Sequence, residues 1–149
     1  MGTVYADITL KNVFDEEKFA EGLIGEHEVR SVNVNAAVDT GAASLVINED
    51  LCQKLGLGIE RERNARLADG RRVVCKVTKP VKILWKNRGT SCEAMVIPGA
   101  ESVLLGAIAL EGMDLMVNPV DRELVGVHGE TEEYLALRVI GCHAPILKQ

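Results

Sequence analysis

One acidic residue stands between two apolar runs, in the segment Asp39-Thr40-Gly41. Before it, apolar and mostly polar residues alternate from 31 to 38, which is the period of a half-buried strand. After it, the apolar run 45–47 predicts a second strand. A carboxylate held between strands is costly unless it accepts hydrogen bonds or shares a proton with a neighbouring group. A catalytic pair of carboxylates needs both, so Asp39 is the first candidate for chemistry.

Two later stretches could act together with this segment. Asp69-Gly70 separates two strand-like runs within 60–77, which predicts a charged β-hairpin. Such a hairpin is ordinarily just solvated, and the functional interpretation is a flap over a cleft. Further on, the apolar residues 103–105 lead into Gly106 and a short helical pattern. That unit alone is common in protein cores, and Asp and Gly are also common in simple turns.

The elements that must position these residues are short strands joined by turns. Residues 4–10 alternate as a first strand, and 11–28 is a polar, acidic insertion in which Phe14, Phe19 and Leu23 could line one side of a short helix. Asn48 is placed to cap a helix that Gly56 ends. With about eight strands in all, the predicted class is all-β: a small closed barrel or sandwich with one or two short helices.

Composition narrows the class of protein. A chain of 149 residues suits one domain, with a core at about 29–127 and a tail of uncertain structure at 128–149. Because 47% of the residues are apolar and only 3% aromatic, we expect an aliphatic core. The net charge of −5 and the absence of a basic run argue against nucleic acid as a partner.

Cellular location and cofactors follow from further absences in the sequence. No signal peptide opens the chain and no apolar run is long enough to cross a membrane, so no membrane partner is expected. The four cysteines lack metal-binding spacing and are interpreted as free thiols of a reducing compartment. We therefore expect a cytoplasmic protein with no metal and no cofactor.

Taken together, the candidate stretches resemble three ordered motifs of the retropepsin-like (retroviral-type, single-domain) aspartic proteases. The similarity covers about 29–127, and its motifs are Asp39-Thr40-Gly41, then the tip Leu67-Ala68-Asp69-Gly70-Arg71, then Leu104-Leu105-Gly106. The resemblance implies a retropepsin-type barrel, with the second motif as a flap that closes over a peptide or protein substrate. It also implies an aspartic-type endopeptidase that needs no cofactor.

The same resemblance implies roles for the residues of the first motif. Asp39 would be catalytic, Thr40 would stabilise the acid pair by hydrogen bonding, and Gly41 would allow close approach of backbone and substrate. Ala42 follows where pepsin-like enzymes often carry Ser or Thr. One copy of the motif supplies one carboxylate, and catalysis needs two, so a homodimer is implied.

Two other interpretations remain open on the sequence. The first is a non-catalytic domain on the same fold that binds peptides or proteins without cleaving them. The second is an unrelated small β domain in which the Asp39 turn is accidental. The second interpretation predicts a monomer with Asp39 on a solvent-exposed turn.

Overall fold

The computed structural model describes residues 3–129, and its regular elements are mostly β-strands. In chain order they are β1 Val4–Asn12, α1 Val13–Ala20, a 3-10 turn Glu26–Glu28, β2 Ser31–Val38, β3 Leu45–Ile47, α2 Glu49–Leu55, β4 Ile59–Arg66, β5 Arg72–Thr78, β6 Val81–Trp85, β7 Arg88–Cys92, β8 Ala94–Val96, β9 Leu104–Leu105, α3 Ala107–Gly112, β10 Leu115–Asn118 and β11 Glu123–Gly126. The prediction of a mainly β protein with short helices is confirmed. The predicted tail lies outside the described residues from 130 onward.

The described strands form an open sheet, and the predicted closed barrel is not found among them. Nine strands are hydrogen-bonded in the order β4-β5-β8-β3-β9-β2-β1-β6-β7, while β10 and β11 form a separate hairpin. The sheet has two free edges because β4 and β7 each pair on one side only. Alternation in a sequence reports which face of a strand is buried, but not whether the outer strands of a sheet meet.

The core is aliphatic, as the composition predicts. Its fully buried side chains come from most of the sheet and from α2 and the end of α3, and include Leu10, Leu45, Ile47, Leu55, Ile83, Leu105 and Met113. Both phenylalanines of the chain lie outside this core, since Phe14 is 52% and Phe19 44% exposed. The predicted short helix is present as α1, but Leu23 lies beyond its end and is also exposed.

The insertion before β2 is held by an ion pair between the buried carboxylate of Asp15 and the half-exposed side chain of Arg30. Asp15 accepts hydrogen bonds from Arg30 Nε at 2.7 Å, from Arg30 Nη2 at 2.9 Å and from the Arg30 backbone N–H at 3.0 Å. These bonds outweigh the desolvation of the carboxyl and lower the pKa of Asp15 from 3.8 to about 2. Asn12 caps α1 and donates to the Leu55 carbonyl at 2.8 Å, so the insertion is joined to α2.

Local signals for α2 are confirmed in detail. The Asn48 side chain accepts a hydrogen bond from the Leu51 N–H at 2.9 Å, and Gly56 takes the left-handed conformation with φ of 62°. The helix therefore begins and ends where cap chemistry predicts. It follows β3 directly and packs Leu51 and Leu55 into the core.

Near the end of the described chain, Arg88 joins β7 to the hairpin of β10 and β11. Its side chain is 2% exposed and donates from Nη1 to the carbonyls of Met113, at 2.9 Å, and Asp114, at 2.8 Å. The Asp114 carboxylate lies 2.9 Å from His128 Nδ1. Buried charges are tolerated when they are paired and hydrogen-bonded, as here.

Candidate active site

Asp39 is positioned by the strand that precedes it. The end of β2 pairs with β1 on one side and, in parallel, with β9 on the other, where Ala37 lies opposite Leu104 and Val38 opposite Leu105. The Asp39 N–H continues this second pairing by donating to the Leu105 carbonyl at 3.0 Å. The first and third motifs are therefore adjacent in space although they are far apart in sequence.

The turn after β2 presents the Asp39 carboxylate at the surface of the single chain. Its Oδ1 accepts a hydrogen bond from the Gly41 N–H at 2.9 Å, and the Ala42 N–H donates to the Asp39 carbonyl at 3.1 Å. Asp39, Thr40 and Gly41 are all exposed. The expectation of an acid enclosed between strands is thus not met within one copy: the strands place the acid at their ends, open to a partner or to solvent.

The segment that begins at Gly106 packs against the backbone of this turn and forms hydrogen bonds with it. The Ala107 N–H donates to the Ala42 carbonyl at 2.8 Å and the Ile108 N–H to the Ala43 carbonyl at 3.0 Å. A Cβ on Gly106 would lie 2.5 Å from the Ser44 carbonyl oxygen and 2.6 Å from that of Ala42, closer than real Cβ atoms come. Only glycine allows this approach, so the third motif serves the first through the main chain.

A groove of about 820 Å³ opens beside Asp39. Its lining is largely apolar and comes from the start of β1, the end of β2, β9 and the hairpin of β10 and β11: Thr3, Val4, Tyr5, Ala37, Val38, Asp39, Thr40, Ser102, Leu104, Met116, Val117, Pro119 and Arg122. Among these residues Asp39 is the only acid. Such a groove, apolar with few polar groups, is the usual form of a ligand site.

The predicted hairpin, to which the resemblance assigns the role of a flap, is formed by β4 and β5. Leu67 and Arg71 close its tip, with the Leu67 N–H donating to the Arg71 carbonyl at 2.8 Å, and Gly70 takes the φ of 88° that the turn requires. Asp69 accepts from the Arg71 N–H at 3.0 Å and from Arg71 Nε at 2.7 Å, and these bonds lower the pKa of Asp69. The tip is therefore held in one shape by its own side chains.

The flap tip reaches the third motif. Leu67 and Arg71 line a cavity of about 320 Å³ together with Leu104 and the loop that precedes β9. This cavity and the groove beside Asp39 are both lined by Ser102 and Leu104, so the two lie next to each other. The other predicted flap residues, Ala68, Asp69 and Gly70, line neither cavity and lie exposed at the tip.

This arrangement agrees with a family match. Residues 26–125 match the model of the family described as gag-polyprotein putative aspartyl protease. The chain belongs to this aspartyl protease family. No curated protein matches the chain. The resemblance drawn from the three motifs is therefore confirmed, and the matched span lies close to the predicted core of 29–127.

Several residues beside the site of this aspartyl protease family member were not predicted. Tyr5 and Met116, which are 55% and 47% exposed, line the groove together with Arg122. The alternation of residues 4–10 indicates that β1 has an exposed face, but not which cavity that face lines. A signal existed for Tyr5, since an aromatic residue on the polar side of a strand is unusual in a chain so poor in aromatics.

The cysteines of the described part of the chain are not activated as nucleophiles. Burial raises the pKa of the Cys92 thiol to about 11 and also raises the pKa values of Cys52 and Cys75, so these thiols are poor nucleophiles at neutral pH. Within residues 3–129, no three His, Cys, Asp or Glu side chains cluster as metal ligands would. Nor does any helix there have the length and apolar character needed to span a membrane.

Proposed function

We propose that the protein is a homodimeric aspartic endopeptidase in which Asp39 of each of two subunits contributes one carboxylate. One carboxylate, as general base, takes a proton from the attacking water. The other, protonated, donates a hydrogen bond to the carbonyl oxygen of the scissile peptide bond and so increases the positive charge at its carbon. Two carboxylates that share a proton titrate as a coupled pair.

The observation that supports the proposal is that the groove contains one of the two carboxylates that the reaction needs. It holds one exposed carboxylate, whose Oδ1 is oriented by the Gly41 N–H, and no second acid among its described lining residues. A two-fold axis beside Asp39 would supply the missing acid from an identical turn. The exposure of Asp39 is compatible with this because the covering surface would belong to the second copy.

The neighbouring residues have defined roles in this proposal. The Gly41 N–H holds the carboxylate, Thr40 stabilises the acid pair across the axis, and the Ala42 carbonyl keeps the turn on α3. The substrate lies extended in the groove and forms main-chain hydrogen bonds, as peptides bound to strand edges do. The flap tip, from Leu67 to Arg71, closes over it and excludes water.

The contacts around Gly106 and the groove also bear on the two alternative interpretations, an unrelated β domain and a non-catalytic binding domain. An accidental Asp turn in an unrelated domain has no need of the close approach between Gly106 and the Ser44 carbonyl, nor of the bonds from Ala107 and Ile108. A non-catalytic domain on the same fold would keep the groove, and only its behaviour towards a peptide bond separates it from an enzyme.

The test compares Asp39→Asn with the unchanged chain. Cleavage of a proteome-derived peptide library is followed by mass spectrometry, and Asp50→Asn, an exposed acid on α2, serves as the charge-matched control. We expect cleavage by the unchanged chain and by Asp50→Asn, and none by Asp39→Asn, which should keep its circular dichroism spectrum. Undiminished cleavage by Asp39→Asn refutes the proposal. Peptide binding without cleavage by the unchanged chain would favour the non-catalytic alternative.

Mixing experiments test the shared site. Addition of excess Asp39→Asn protein to the unchanged chain should replace active pairs with mixed pairs that lack one acid, so activity should fall. Asp39→Asn should also sediment as a dimer at the concentrations used. A chain that is active as a monomer would contradict the two-subunit site.

A further inference from the structure

The hairpin turn between β10 and β11 is held by a side chain that leaves Arg122 uncommitted. Asn118 Oδ1 accepts from the backbone N–H groups of Val120, at 3.0 Å, and Asp121, at 3.3 Å. Its Nδ2 donates to Asp121 Oδ2 at 3.0 Å, and its carbonyl accepts from the Arg122 N–H at 2.8 Å. The nearest acid in sequence is thus engaged by Asn118, and the turn fixes the backbone from which the Arg122 side chain starts.

Arg122 occupies a position that favours a different residue type. Its φ of 55° lies in the left-handed region, which glycine and asparagine adopt far more readily than arginine. Nothing in the hydrogen bonding of the turn uses the guanidinium. The turn gains nothing from arginine at this position, and its backbone conformation disfavours arginine. The presence of Arg122 is explained if its side chain binds a ligand in the groove that it lines.

The charges of the groove point to the ligand. Arg122 is the only cation among the groove's lining residues and Asp39 the only anion. By contrast, Arg71 forms an ion pair with Asp69, and Arg61 forms one with Glu93. Within residues 3–129, no carboxylate forms an ion pair with Arg122. The rest of the lining is apolar or uncharged, so the favourable place for an anionic group in the groove is beside Arg122.

We propose, on the basis of the proposed protease function, that Arg122 is a specificity-determining residue that binds a carboxylate of the peptide substrate. The guanidinium donates two parallel N–H bonds to a carboxylate, a geometry that lysine cannot reproduce. The preferred substrate therefore carries apolar side chains near the scissile bond, against Leu104, Met116 and Val117, and a carboxylate at one flank. That carboxylate belongs either to an Asp or Glu side chain or to the C-terminus of the peptide.

The first experiment measures specificity by cleavage. The peptide library is cleaved with the unchanged chain, with Arg122→Gln, and with Lys18→Gln, which removes an exposed cation of α1 that lies outside both cavities. We expect a carboxylate at a fixed distance from the cleaved bond for the unchanged chain and for Lys18→Gln. Arg122→Gln should lose about tenfold to a hundredfold in kcat/KM on such peptides, mainly through KM, and nothing on their neutral counterparts.

Matched peptides distinguish the two sources of the carboxylate. One peptide carries an internal Glu and a C-terminal amide, and the other an internal Gln and a free C-terminus. The peptide on which Arg122→Gln loses activity identifies the source, and Arg122→Lys should restore only part of the loss. Equal losses on acidic and neutral peptides, or cleavage without any carboxylate preference, would overturn the inference while leaving the protease function intact.

A binding measurement separates this inference from the proposed function. Fluorescence anisotropy of the same peptides is recorded with Asp39→Asn and with Asp39→Asn/Arg122→Gln, neither of which needs to cleave. Weaker binding of only the carboxylate peptide by the double variant supports the role of Arg122 even if the unchanged chain proves inactive. A shift of the dimer dissociation constant by Arg122→Gln, with unchanged peptide preference, would assign the residue to the subunit interface instead.

Discussion

Replacing Gly106 with alanine tests how the third motif supports Asp39. The added Cβ would meet three backbone atoms: the Ser44 carbonyl oxygen at 2.5 Å, the Ala42 carbonyl oxygen at 2.6 Å and the Ala43 carbonyl carbon at 3.0 Å. None of them can rotate away as a side chain would. The turn and the start of α3 must therefore separate by about 0.5 Å or more, which strains a closely packed interior.

The magnitude follows from what this separation disturbs. Overpacking typically costs about 1–3 kcal/mol, and the bonds from the Ala107 and Ile108 N–H groups lengthen as the segments move apart. We expect Gly106→Ala to lower the free energy of unfolding by about 2–4 kcal/mol. Cleavage should fall more steeply than stability, because the Asp39 turn is the segment displaced and small errors in the position of a catalytic group are costly.

Urea denaturation of Gly106→Ala is compared with that of Gly58→Ala. At Gly58 the nearest atom to an added Cβ is Lys79 Cδ at 3.2 Å, which belongs to a flexible exposed side chain. The control should change the unfolding free energy by less than about 1 kcal/mol. Similar unfolding midpoints for the two variants would refute the close approach at Gly106. A destabilised Gly106→Ala with full activity would refute its role in holding Asp39.

Two further predictions concern stability. The lowered pKa of Asp15 stabilises the fold by about 1–2 kcal/mol at pH values above about 4, allowing for the half-exposed Arg30, and this contribution disappears as pH falls through about 2. Asp15→Asn should therefore remove that part of the pH dependence of the urea midpoint. An unchanged pH dependence in the variant would contradict the ion pair. Asn48→Ala should lower the unfolding free energy by about 1 kcal/mol through loss of the bond from the Leu51 N–H, whereas Asn64→Ala on exposed β4 should have little effect; equal effects would contradict the cap.

The features that the sequence predicts well are those decided by neighbours in the chain. Asn48 and Gly56 specify both ends of α2 because each cap bond spans only a few residues. Asp69-Gly70 specifies the flap turn for the same reason, through the left-handed backbone of Gly70. The alternation from Ser31 to Val38 likewise gives β2 with its bounds unchanged.

The features that the sequence does not predict depend on contacts between distant segments. β4 is an edge strand because it pairs with β5 alone, while β5 also pairs with β8. The alternation of residues within a strand does not specify which strands it pairs with. Arg88 is buried although charged residues rarely are, because carbonyls some 25 residues later accept its hydrogen bonds, and the local sequence does not reveal that contact. Arg122 joins the groove because the hairpin of β10 and β11 packs against β1, which contributes Val4 and Tyr5 to the same lining.

The exposure of Asp39 in a single chain avoids the cost of burying an unpaired carboxylate. Burial of a carboxylate without a partner is costly, so a single chain that enclosed Asp39 would carry that penalty whenever it folded alone. The turn avoids this by leaving the carboxylate exposed, with one hydrogen bond from the Gly41 N–H, while the main-chain bonds around Gly106 do not involve the acid. In the proposed dimer, desolvation of the Asp39 carboxylate is deferred to the step at which a second carboxylate arrives to share a proton. Asp39→Asn should therefore leave the unfolding free energy of the single chain nearly unchanged, and a large loss of stability would show that the acid supports the fold itself.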